Sequence, residues 1–97
     1  MIRHMVMFRW APGTTEEQKQ RVATELRRLP ALLPVIRAYH IGADLGLAEG
    51  NFEFGVAADF DDLEGFTTYR DNPEHRAIIT EHIRPIMAER AAVQYDF

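Results

Sequence analysis

From Phe52 to Phe60 the side chains alternate without a break: Phe52, Phe54, Val56, Ala58 and Phe60 fall on one side, Glu53, Gly55, Ala57 and Asp59 on the other. A period of two puts successive side chains on opposite faces of an extended strand, and a helix cannot separate the two sets in that way. The chain must therefore build a sheet with one apolar face turned to a core, and the rest of the sequence has to supply partner strands and a cover for that face.

The opening segment, Met1 to Trp10, alternates in the same sense, with Ile2, His4, Val6, Phe8 and Trp10 on one side and Arg3, Met5, Met7 and Arg9 on the other. Ala11-Pro12-Gly13 ends it as a turn. Thr14-x-x-Glu17 then reads as a capping box, and Val22, Leu26 and Leu29 give a helix over residues 15–30, closed by Pro30 and Pro34. Residues 35–45, with Ile36, Tyr39 and Ile41, predict a second strand, and Gly42, Gly46 and residues 48–51 a loop before the strand at 52–60. Asp61-x-x-Glu64 starts a short helix through Phe66 and Tyr69. Asn72-Pro73 starts another, because Asn caps a helix and Pro suits its first position; Ile78, Ile79, His82 and Ile83 follow at helical spacing and Pro85 ends it. Residues 91–97 form the last strand, with Val93, Tyr95 and Phe97 on one side.

This order predicts an α+β fold in one domain over residues 1–97, a ferredoxin-like βαββαβ sandwich with a four-stranded antiparallel sheet. Helices cover one sheet face. Met5, Met7, Ile36, Ala38 and Ala57 leave the other too apolar for water, so a homodimer packed sheet to sheet is expected, the usual two-fold solution for a small chain. With 11 Lys and Arg against 15 Asp and Glu, a net charge of −4 and no basic block, nucleic acid is not an expected partner. The absence of cysteine removes thiolate chemistry and fits a reducing cytoplasm. The opening ten residues, broken by Arg3, His4 and Arg9, are too short and too charged for a signal peptide or a membrane span.

The chemistry concentrates in Thr67 to Ile79. His75 falls about three positions into the helix that begins after Asn72, where free amides and the helix dipole disfavour a positive charge, so its imidazole stays neutral and able to accept a proton. Tyr69 ends the preceding helix, and its hydroxyl is placed to converge with His75 on a pocket and to hydrogen-bond a developing oxyanion. His4 belongs to the same helix-facing layer. Three polar rings inside so small a core exceed what packing requires and point to a ligand site. His82 stands roughly 10 Å along the helix from His75, too far to share a metal, and no HxxxH, HExxH, GxGxxG, P-loop or GxSxG spacing occurs. His40, on the face opposite Tyr39, belongs near the dimer contact.

These residues together (Met1-Ile2-Arg3-His4, Pro12-Gly13-Thr14, Gly42, Phe60-Asp61-Asp62, and Tyr69 to His75 around Asn72-Pro73-Glu74) resemble the Dabb family, the stress-responsive dimeric α/β-barrel domain, over nearly the whole chain. The resemblance implies ferredoxin-like protomers that meet through their sheets. One plant branch of that family, of olivetolic acid cyclase type, closes a linear polyketide by an intramolecular aldol reaction without cofactor or metal. By resemblance to it His75 and Tyr69 are the expected catalytic residues and His4 an expected substrate-binding one, and Phe54 and Ile79 are expected to bind substrate beside them. Phe54 stands where that branch has a further histidine. The expected partner is a small apolar or polyketide-like molecule. Two rival readings are a non-catalytic stress-responsive dimer that binds a small ligand, and a cofactor-independent monooxygenase of the dimeric α/β-barrel type.

Overall fold

A computed structural model describes all 97 residues. The strands are β1 (Ile2–Trp10), β2 (Ala38–Ala43), β3 (Phe54–Phe60) and β4 (Met87–Asp96). The helices are α1 (Glu16–Leu26), α2 (Leu29–Leu32), α3 (Leu63–Asp71) and α4 (Pro73–Ile78), and α4 runs on through a π-helical turn at Ile79–Ile83 and a 3-10 turn at Arg84–Ile86. The sheet order is β2-β3-β1-β4 with every neighbouring pair antiparallel, so each half of the chain makes a crossover that skips one strand. This is the ferredoxin-like sandwich.

Register decides which residues share the helix-facing side. His4, Val6 and Phe8 pair with Ala58, Val56 and Phe54 of β3 and with Gln94, Ala92 and Arg90 of β4. Tyr39 and Ile41 join them by pairing with Ala58 and Val56. Against this layer the helices seal Val22, Leu26 and Leu29, with Phe60 beneath. A side chain so buried contributes about 2 kcal/mol. An 11-residue helix is marginal by itself, so α1 is held by this docking more than by its own propensity.

Several boundaries differ from the sequence reading. The α1 cap is Thr15, whose hydroxyl accepts from the Gln18 amide at 3.1 Å while the Gln18 side chain accepts from the Thr15 amide at 2.8 Å. Gln serves in this box as well as Glu, which moves the start by one residue; Thr14 instead closes the turn on Ala11 O at 2.6 Å. Likewise Asp62, not Asp61, caps α3 by accepting from the Gly65 amide at 2.9 Å. Pro30 does not close the first helix. It sits in the first turn of α2, where its missing N–H costs nothing. Strand β4 begins at Met87 although Glu89 and Arg90 read as polar, because pairing with Arg9 and Phe8 fixes its backbone, past an irregularity between Arg9 and Trp10. Strand β2 is shorter than residues 35–45, and Ile36 precedes it and packs against the core instead of lining the far face.

The far face carries Met5, Met7, Val93, Tyr95 and Phe97 as exposed apolar side chains. Ion pairs cross it: Arg9 lies 3.7 Å from Glu89, and Arg3 donates to both carboxylate oxygens of Asp59 at 2.7 and 2.8 Å, with its guanidinium 4.5 Å over the Phe97 ring. That pairing lets Asp59 be buried and holds its carboxyl below the usual range. No helix of the protein is long and apolar enough to cross a membrane.

Candidate functional site

The break between α3 and α4 brings Tyr69 and His75 together. In one continuous helix, residues six apart differ by about 240° around the axis and face away from each other. Here Asn72 is extended (φ −60°, ψ 132°), Pro73 restarts the helix, and the Asn72 side chain accepts from the His75 amide at 3.1 Å. The two rings then lie against each other with centroids 4.1 Å apart at 33°. His4 joins from β1, its ring 6.0 Å from that of Tyr69 and 5.3 Å from that of Phe66. All three are buried, at 7% (His4), 2% (Tyr69) and 8% (His75) exposure.

Hydrogen bonds assign the imidazole protons. His75 Nδ1 lies 3.2 Å from the carbonyl oxygen of Arg70, which can only accept, so Nδ1 carries the hydrogen and Nε2 keeps a free lone pair. His4 Nδ1 lies 2.8 Å from the side-chain nitrogen of Gln94; with that amide donating, Nδ1 accepts and the His4 hydrogen sits on Nε2. Neither Nε2 is bonded within the chain and neither is sealed off. Both histidines line a cavity of 390 Å³, within the range of about 300–1,000 Å³ usual for small-molecule sites.

The sheet side of this cavity is Val6, Phe8 and Val56, and the helix side is Phe66, Ile79 and Ile83. Ile79 and Ile83 bound the π-helical turn, an irregularity frequent at functional sites. His4, His75 and Ile79 thus line one hollow. Tyr69 and Phe54 do not. The cavity lies over β1 and β4, whereas the Tyr69 hydroxyl is directed towards β2, 3.1 Å from that of Tyr39. Phe54 stands opposite Phe8 but on β3, on the side of β1 away from β4; it packs on Trp10 with ring centroids 5.9 Å apart. Sequence reasoning missed Gln94 and Tyr39. The cross-strand register that opposes Gln94 to His4 was the signal for the first, and nothing local announced the second.

Burial sets the protonation states. His4 is pushed down to about 4, first by burial, then by the charges of Arg90 and His75. His75 is lowered chiefly by burial, against the opposing effect of its bond to the Arg70 carbonyl. Burial raises both phenols, Tyr69 to about 12, so the Tyr pair stays protonated near neutral pH. Since an unfolded imidazole titrates near about 6.5, the unfolded chain binds more protons than the folded one below that value. Stability is therefore full above pH about 6.5 and falls as pH drops towards about 4, where His4 itself protonates. Urea midpoints measured across this window should decline, and His4→Gln should flatten part of the decline; a slope unchanged in that variant would remove His4 as its source.

Known proteins agree with this architecture. The family model of the stress responsive A/B barrel domain, Dabb, matches residues 2–97. The chain belongs to the Dabb family. No curated protein matches it. Among solved structures, a dimeric ferredoxin-like protein of unknown function from Thermobifida fusca is 47% identical, with 99% of this chain and 90% of that one covered and a TM-score of 0.92. A Dabb protein with a ferredoxin-like fold from Mesorhizobium loti is 19% identical, with 99% and 95% covered and a TM-score of 0.82. A hydroxynitrile lyase from Passiflora edulis is 18% identical, with 97% and 90% covered and a TM-score of 0.84. At that identity the last two show a shared fold.

Proposed function

We propose that this Dabb protein is a small acid-base enzyme of the lyase or cyclase kind, acting at a carbon next to a carbonyl and, in its polyketide-like form, closing a ring by intramolecular aldol condensation. The observation that carries the reading is the opposite tautomers of two imidazoles facing one cavity. His75 Nε2 takes the carbon-bound proton. His4 Nε2–H donates a hydrogen bond to the carbonyl oxygen as it becomes an enolate, and the new carbanion attacks a second carbonyl of the same molecule. The proton on His75 is then returned to the alkoxide that forms, so none is gained or lost. Val6, Phe8 and Phe66 keep water from the carbanion. Tyr69 acts as a positioning residue: its ring backs the His75 imidazole, and its hydroxyl is held by Tyr39. A hydroxynitrile lyase on the same fold is consistent with carbonyl chemistry in this architecture.

The test is exchange of the acidic C–H of a linear polyketide thioester in deuterated water, followed by NMR, with ring closure followed by mass spectrometry. Exchange should be protein-dependent; a rate equal to that in buffer overturns the proposal. Tyr69→Phe should cost less than about tenfold in rate with binding unchanged, whereas a donor acting directly on the oxyanion is worth about 10²–10³.

A further inference from the structure

The mouth of the cavity reverses the charge of the chain. The protein carries a net −4, yet the lining contains Arg70, Arg76 and Arg90 and no Asp or Glu. Arg70 is answered by Asp71, to whose carboxylate it donates at 2.9 and 3.2 Å. The side chains of Arg76 and Arg90 have no hydrogen bond or ion pair within the chain, unlike those of Arg3, Arg28 and Arg37, which all hold carboxylates. The two approach from opposite walls. Arg76 follows His75 on α4, and Arg90 sits on the helix-facing side of edge strand β4, opposite Phe8 and four pairs along from Gln94 and His4. The inner face of β4 is exposed at Arg90, Ala92 and Gln94, so the hollow opens there. Two guanidiniums without an ion-pair partner over an apolar hollow focus a positive potential, which Asp71, itself bonded to Arg70, offsets only in part on the Arg76 side.

We infer that the cavity takes an amphipathic anion, its carboxylate or phosphate held between Arg76 and Arg90 at the mouth and its apolar body against Val6, Phe8 and Ile79. This deepens the acid-base reading and rests on it only in treating the cavity as the ligand site. Anchoring a charged end at the mouth leaves the buried carbons of the ligand beside the two Nε2 atoms. The tautomers of His4 and His75 are then presented to the uncharged, carbonyl-bearing part of the molecule.

Binding alone tests this. The full chain is titrated calorimetrically at low salt with para-pentylbenzoate, para-pentylbenzamide and para-pentylphenyl phosphate, which share a body and differ in head group. Both anions should bind at least about tenfold tighter than the amide, and whichever binds tighter identifies the carboxylate or the phosphate as the natural head group. Arg76→Gln and Arg90→Gln should each remove most of that preference, and the double variant all of it. Arg84→Gln, an arginine outside the cavity, should leave it intact. Both mouth arginines are exposed, so the variants should fold, which circular dichroism checks. An amide that binds as well as the anions, a double variant that keeps the preference, or no binding of any of the three overturns the inference. A wild type that shows the preference but no deuterium exchange sinks the acid-base reading alone.

Discussion

His75→Ala is expected to lower the rate of proton abstraction by about two to four powers of ten while the chain remains folded. The loss follows from the geometry of one atom. With Nδ1 engaged by the Arg70 carbonyl, Nε2 is the only lone pair of that ring free to act, and the residue lines the cavity. Nothing near it can substitute: His4 offers a hydrogen from its own Nε2, and the Tyr69 hydroxyl is committed to Tyr39. The same variant leaves the Arg70 carbonyl without its donor and removes a ring packed on Tyr69, at a cost of about 2 kcal/mol. His75→Gln, which keeps an amide able to donate, separates the two effects by restoring stability without restoring rate. Because burial lowers the His75 pKa, wild-type activity should persist to more acidic pH than an ordinary imidazole allows and fall only as that ring protonates. A His75→Ala protein within tenfold of wild type removes the mechanism; a His75→Gln protein that recovers full rate does the same.

The alternation at residues 52–60 and 1–10 made the sheet legible, because the physical cause of a strand with one buried face is the pattern itself. The Asn72-Pro73 break was equally readable, since each residue there has one local job and performs it. What escaped were properties set by partners distant in the chain. Gln94 matters because register places it opposite His4, 90 residues away. The aim of the Tyr69 hydroxyl depends on Tyr39 of β2, and a helical sequence carries no record of which strand lies beneath its last turn. Phe54 shows the converse: a residue on the correct face, and level with the lining residue Phe8, is still outside the cavity because its strand lies on the side of β1 away from β4. Face is written in periodicity, and place across the face is written only in pairing.

The second large effect concerns the opposite side of the sheet. Met7→Glu with Val93→Glu is expected to raise the dissociation constant of a homodimer at least about a thousandfold, because sheet-to-sheet packing would bury unpaired carboxylates from both copies. The Thermobifida fusca relative is described as dimeric, and the exposed row of Met5, Met7, Val93, Tyr95 and Phe97 gives this chain a matching reason to associate. In the single chain Met7 and Val93 are 43% and 52% exposed, so the charges cost the protomer fold little and the effect falls on association. Sedimentation should show a dimer for the wild type and a monomer for the variant, whose thermal midpoint should drop and lose its dependence on concentration. His4, His75, Arg76 and Arg90 all lie on the helix side and come from one chain, so the charged variant should still bind para-pentylbenzoate. If the charged variant stays dimeric, the association runs through another surface, and the apolar row must be explained by something other than a second copy.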